Sequence, residues 1–187
     1  MHRITIALLT ACLAVLGQTA AASAATPDIT PGVYTISPAH TAGTMVLDVS
    51  GAATGPAPVG QWKKYGANGN SNQQFRLEKM PTQLSSSVYR LRPQHAAGMC
   101  LDIAYAADIG GQLIQHGCNG QQNQEFIVVP APGSSGTYMV VARHSGLLLQ
   151  VPGRSFALGA GLDTATRIGY PDAPPDYQRF RFTKVAN

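Results

Sequence analysis

Charge is scarce in this chain. Asp, Glu, Lys and Arg together make up 12% of its 187 residues. The longest run of like charge is Lys63-Lys64, so no basic stripe exists to follow a phosphate backbone, and no nucleic-acid partner is expected. Long apolar runs are missing beyond the N-terminal segment. Nothing later approaches the ~18 apolar residues that a membrane helix needs, so no membrane span is expected. Helical periodicity is nearly absent. No nucleophile elbow, metal-binding helix motif or phosphate loop occurs, and the expectation is a protein without catalysis, cofactor or metal.

Cysteine is also scarce, with three residues. Cys12 lies in an N-terminal segment that begins with Arg3, runs apolar from Ile4 to Leu16 and reaches the small-x-small step Ala22-Ser23-Ala24. That is the pattern of a secretory signal peptide over residues 1–24, which implies a secreted product covering residues 25–187. Leu9-Thr10-Ala11-Cys12 weakly mimics a lipid-attachment site, but Cys12 lies very early and the apolar run continues past it. Without Arg3, 12 basic and 9 acidic residues leave a net charge of +3. In an exported protein the remaining pair, Cys100 and Cys118, is expected to form a disulfide. A metal site is the alternative reading, but no third and fourth ligands follow at zinc-site spacing.

Repetition is what the chain has in abundance. Three strand-like runs carry a tyrosine: Val33-Tyr34-Thr35-Ile36, Val88-Tyr89-Arg90-Leu91 and Thr137-Tyr138-Met139-Val140. Each leads to a Leu-Asp-Val-like step: Leu47-Asp48-Val49, Leu101-Asp102-Ile103 and Leu149-Gln150-Val151. Each unit closes on Gln-x-Phe, at Gln73-Gln74-Phe75, Gln124-Glu125-Phe126 and Gln178-Arg179-Phe180, with the phenylalanines 51 and 54 residues apart. The apolar runs are short, β-branched or aromatic, and bounded by turn formers among 20 glycines and 13 prolines, which reads as all-β. Three similar units of about four strands each predict a pseudo-threefold β-trefoil with repeats over about 31–80, 86–131 and 136–185. These fill the one domain and leave no room for a second.

Strand alternation assigns faces. Leu47, Leu101 and Leu149 should point inward, together with Phe75, Phe126 and Phe180. Asp48, Asp102 and Gln150 should point outward.

The middle unit is the richest. It contains Cys100-Leu101-Asp102, then His116 shortly before Cys118-Asn119-Gly120, then Asn123-Gln124-Glu125-Phe126. These elements resemble the ricin B-type lectin family, carbohydrate-binding module family 13, and the resemblance recurs across nearly all of residues 25–187. The family's closing aromatic is usually tryptophan, and phenylalanine stands there three times. The resemblance implies one shallow sugar pocket per unit. A pyranose needs acceptors for adjacent hydroxyls, a flat ring for its C–H face, and an amide that both donates and accepts. By resemblance Asp102 is the acceptor, His116 the ring and Asn119 the amide, with Gln124 orienting or assisting Asp102. The first unit keeps Asp48, Trp62 and Gln73, with Tyr65, Asn68 or Asn72 left open as its amide or hydroxyl. In the third unit Gln150 replaces the acid and the Asn-Gly step is absent, so that site should be silent, although Tyr170 still offers a ring.

The family suggests galactose-type sugars, xylan or related polysaccharides, bound by a monomer. Three histidines, His40, His95 and His144, recur before the Leu-Asp-Val steps and read as turn residues, since a zinc site would require three lobes to converge. Asp48 and Asp102 lie on separate units, whereas a glycosidase holds its two carboxylates about 5–10 Å apart. The competing function is a secreted β-trefoil protease inhibitor that presents the loop Ser50 to Pro58 or Arg154 to Asp163.

Overall fold

A computed structural model describes residues 28–82 and 87–186. The signal-peptide segment and Cys12 lie outside the described residues. Among the described residues, twelve strands fall into three groups of four. The first group is β1 (Gly32–Pro38), β2 (Met45–Val49), β3 (Ala57–Lys63) and β4 (Phe75–Met80). The second is β5 (Val88–Pro93), β6 (Met99–Ile103), β7 (Leu113–Gly117) and β8 (Phe126–Pro130). The third is β9 (Tyr138–Ala142), β10 (Leu148–Gln150), β11 (Asp163–Ala165) and β12 (Phe180–Lys184). The helical content of the described residues consists of short 3-10 turns of three residues each.

The outer strands of each group close a six-stranded antiparallel barrel. β1 pairs with β4 and β12, β5 with β4 and β8, and β9 with β8 and β12. Closure leaves that ring without an open edge. The inner strands form three hairpins, β2–β3, β6–β7 and β10–β11. The hairpins touch one another through Ala57↔Gln115, Pro58↔Ile114, Gly60↔Gly161 and Gln112↔Asp163. This is the β-trefoil that the repeats predicted.

The repeat supplies the core. Phe75, Phe126 and Phe180 are at most 1% exposed, and Leu47, Leu101 and Leu149 are buried beside them. Each such side chain contributes about 1.5–3 kcal/mol by leaving water. The phenylalanines therefore fill the closing position without the larger indole. Tyr34 and Tyr89 are buried, and Tyr89 donates a hydrogen bond to the Ile29 carbonyl at 2.6 Å. Tyr138 is half-buried, edge-on to Phe182.

Cys100 and Cys118 are bridged, with their Cα atoms 5.1 Å apart, so the disulfide ties the two strands of the middle hairpin together.

The three histidines do more than occupy turns. His40 Nε2 meets the Ser155 carbonyl at 2.9 Å, His95 Nε2 the Ala53 carbonyl at 2.8 Å, and His144 Nε2 the Ala107 carbonyl at 3.0 Å. A carbonyl only accepts, so each Nε2 carries its proton. On the facing strands, Gln61 donates to Ser155 and Ala157, Gln115 to Ala53 and Gly55, and Thr164 to Asp108. Each lobe thus grips the turn of its neighbour, in a cycle of three.

Candidate functional site

The closing glutamine does the same work in every lobe. Gln73 donates through Nε2 to Asp48 at 2.8 Å and to the Lys63 carbonyl at 2.9 Å, and its Oε1 accepts from the backbone N–H of Tyr65. Gln124 donates to Asp102 and the Gly117 carbonyl, both at 2.8 Å, and accepts from the N–H of Asn119. Gln178 donates to Gln150 at 3.1 Å and to the Thr166 carbonyl at 2.9 Å, and accepts from the N–H of Ile168. All three glutamines are 0% exposed. They hold the acid and the return of the hairpin in place and present nothing to a ligand, which limits Gln73 and Gln124 to the orienting part of their assigned role.

These bonds also fix the correspondence between lobes. Tyr65, Asn119 and Ile168 are equivalent positions. So are Asn72, Asn123 and Tyr177, each just before the glutamine. The amide that reaches Asp102 is Asn123, whose Nδ2 donates to Oδ1 at 2.9 Å. Asn119 instead accepts through Oδ1 from the N–H of Gln121, inside its own turn. In the first lobe Asn72 is buried and donates to the Val49 carbonyl. The signal for this amide was the Asn of Asn-Gln-x-aromatic, shared by two units and replaced by Tyr177 in the third.

The acids differ in exposure. Asp48 is half-buried and opens onto a cleft of about 440 Å3. Asp102, expected to point outward, is 4% exposed. Its side chain does leave the core, but both carboxylate oxygens are capped by Asn123 and Gln124. The cross-strand neighbours account for the rest. Residues paired directly across a ladder share a face. Asp48 pairs with Gly60, which has no side chain, and Asp102 pairs with Ile114. The richest motif in the sequence therefore belongs to the more closed site.

The open cleft is lined by Asp48, Asn72, Trp62 and Tyr65 and by the turn Ser50 to Ala52. Gly159 and Gly161, from the third lobe, also line it, Gly159 close to the Trp62 ring. Trp62 is half-buried and donates from Nε1 to the Tyr65 hydroxyl at 2.9 Å, which fixes the indole. Gly60 makes the close approach of the two lobes feasible: a Cβ there would lie 2.9 Å from the Ala160 carbonyl oxygen. Backbone bonds Gln61 N to Ala160 O and Gly159 N to Gln61 O seal that seam. Partial burial pushes the Asp48 carboxyl above its ordinary 3.8, against the hydrogen bonds from Gln73 and Asn72 and the nearby His95 charge. The cleft thus combines a held carboxylate, an amide, a hydroxyl and a fixed indole.

In the middle lobe His116 stands exposed at the position of Trp62, across from Cys100. In the third lobe the same position is Ala165. Gln150 there pairs with Asp163, whose carboxyl is also raised by burial. Tyr170 is 80% exposed, with the Arg167 guanidinium 5.0 Å from its ring centre.

The ricin-type beta-trefoil lectin domain-like family matches residues 24–108 and 71–165. Among solved structures, the designed 3-fold symmetric protein ThreeFoil superposes with a TM-score of 0.68 at 31% identity, over 82% of this chain and 99% of that one. An exo-beta-1,3-galactanase from Clostridium thermocellum gives a TM-score of 0.68 at 25% identity over 86% of this chain, and the match spans 31% of the galactanase. A proteinase inhibitor from Coprinopsis cinerea has a TM-score of 0.61 at 18% identity, covering 84% of this chain and all of the inhibitor, which is a likeness of fold alone. No curated protein matches the sequence.

Proposed function

Since the chain belongs to the ricin-type β-trefoil lectin domain-like family, we propose that it is a secreted, monomeric protein that binds glycans without turnover. The observation that carries this reading is the first-lobe cleft, where Asp48 stands beside a fixed Trp62. The carboxylate accepts from neighbouring hydroxyls in charge-assisted bonds, Asn72 and Tyr65 add neutral partners, and the indole covers the C–H face. The likeness to the trefoil-sized part of a galactanase supports galactose-type sugars ahead of xylan. The protease-inhibitor alternative, through the loop 50–58 or the loop 154–163, gives no reason for the carboxylate and indole that the first-lobe cleft brings together.

The test is a glycan panel probed with residues 25–187 and with Asp48→Ala and Trp62→Ala. Loss of a charge-assisted hydrogen bond corresponds to about 10- to 100-fold in affinity. Binding that survives both substitutions would overturn the site. A protein that binds no glycan and inhibits a protease would restore the competing reading.

A further inference from the structure

The basic residues that lie scattered along the sequence are sorted by the fold. The barrel strands carry Arg76, Lys79, Arg90, Arg92, Arg181 and Lys184 against a single acid, Glu78. The hairpin strands carry Asp48, Asp102 and Asp163 against a single base, Lys63. A polyanion is therefore repelled by the hairpins, which hold the cleft, and drawn to the barrel.

Within the barrel the charge gathers on β4 and β5. Phe75, Leu77 and Leu91 of these strands are buried in the core, so by alternation Arg76, Glu78, Arg90 and Arg92 face outward. The register sets Arg76 directly opposite Arg92, and Glu78 opposite Arg90. Arg92 pairs with Glu78 at 3.3 Å, while Arg90 and Arg143 both pair with Glu125. Four guanidinium groups thus share two carboxylates. Arg76 is the one left over. It is exposed, its ladder neighbours are Val33 and Arg92, and it makes no ion pair among the described residues.

Like charges directly opposite each other in a ladder are destabilising. Charged side chains often guard an open sheet edge, but β4 and β5 are each paired on both sides, so no edge needs guarding. The Arg76–Arg92 juxtaposition therefore costs the fold something and returns nothing to it. Two planar forks side by side suit a tetrahedral oxyanion, which accepts several N–H donors at once. Glu78 and Glu125 in the same patch penalise a second negative charge on that ligand. This favours a sulfate half-ester, which is singly charged, over a phosphate monoester. The outward side chains of β4 and β5 include no aromatic on which a nucleic-acid base would stack.

We propose that the outward face of β4 and β5 binds a sulfated polysaccharide, with Arg76 and Arg92 as paired donors to its sulfate esters. This surface is separate from the first-lobe cleft and works without it.

Retention on dextran sulfate tests it, beside neutral dextran and carboxymethyl-dextran matrices and with double-stranded DNA as a competitor. Wild type is compared with Asp48→Ala, Arg76→Gln, Arg76→Gln/Arg92→Gln and Lys63→Gln/Lys64→Gln. Wild type should be held by dextran sulfate, pass neutral dextran, and be released as salt rises. The arginine pair should lose about 10-fold in affinity. The lysine pair removes the same charge from the hairpin side and should match wild type, as should Asp48→Ala. Arg76→Gln should melt no lower than wild type, since it removes a like-charge contact. An equal loss in the arginine and lysine pairs overturns the surface, because net charge alone would then explain retention. So does wild type that passes dextran sulfate unretained, or a lowered melting temperature of Arg76→Gln, which would assign that side chain to the fold. Equal retention on carboxymethyl-dextran, or release by DNA at the same charge concentration, overturns the sulfated polysaccharide as partner. Retention on dextran sulfate by a protein that binds no neutral glycan keeps this surface and overturns the cleft reading alone.

Discussion

Gly60 lies directly across the β2–β3 ladder from Asp48, and the missing side chain is what leaves that carboxylate facing a cleft. Ile114 holds the same place opposite Asp102. Truncating it should uncover the buried acid. In an Asp48→Ala background, Ile114→Ala is predicted to raise sugar affinity at the middle lobe, at a stability cost near ~1 kcal/mol for a half-buried side chain. Calorimetric titration with a galactose-type oligosaccharide checks this, and an unchanged affinity would refute the role given to Ile114. The converse change, Gly60→Ala, forces a Cβ to within 2.9 Å of the Ala160 oxygen and should cost about 1–3 kcal/mol while narrowing the first cleft.

Binding at the first cleft should fail early on acidification. The Asp48 carboxyl is raised above 3.8, chiefly by burial, and only its ionised form accepts from two hydroxyls. Affinity is therefore full above the folded-state value and falls as pH drops through it, at a less acidic pH than an ordinary aspartate would give. The sign for stability is opposite. A carboxyl raised by folding favours the native state below the unfolded value, and that contribution disappears as pH rises through the folded one. Asp48→Asn should flatten the binding profile, and affinity titrations across pH 3–7 on both proteins would show it.

Reduction of Cys100–Cys118 should lower stability without abolishing the fold. The bridge spans a sequence separation of 18, which corresponds to about 3 kcal/mol in the chain-entropy account. For a domain of this size that is a fall in melting temperature of roughly 6–12 °C. Cys118 is exposed to a reductant although Cys100 is not. Melting with and without dithiothreitol measures the difference, and no shift would mean that the hairpin holds without its bridge.

Gln61 links stability to binding. It is 0% exposed and donates to the Ser155 and Ala157 carbonyls at 2.7 and 3.1 Å. Gln61→Ala leaves both without that donor and should cost about 2–3 kcal/mol. The released segment leads into Gly159 and Gly161, which line the cleft, so sugar affinity should fall as well. Denaturant unfolding paired with a glycan titration separates the two effects, and a stability loss with affinity intact would show that the wall holds itself.

The apolar pattern carried the fold. Leucine and phenylalanine positions recur in phase because three hairpins and one barrel need the same side chains three times, and they are buried where alternation put them. The acids were visible for a similar reason, as polar residues interrupting those strands. Which acid is open was not visible, because it depends on partners that the chain order hides. Gly60 and Ile114 matter only through cross-strand register, and Gly159 and Gly161 only through lobe packing. Asn123 outranks Asn119 because a glutamine bracket fixes the turn geometry. The histidines do sit in turns, but their grip on the neighbouring lobe was hidden because their acceptors lie far along the chain, as in His40 with Ser155, 115 residues away.

Under the proposed glycan reading, the seam at Gly60 and Gly159 bears on how sugar preference can change over time. The wall of the first-lobe cleft is encoded in the third repeat, outside the segment that supplies Asp48 and Trp62. On that reading, an insertion or deletion near Gly159 and Gly161 would leave Asp48 and Trp62, with their hydrogen bonds to Gln73 and Tyr65, in place and still alter the shape of sugar the cleft admits. Specificity in one lobe can therefore drift while its own sequence stands still, driven by loop variation about a hundred residues downstream.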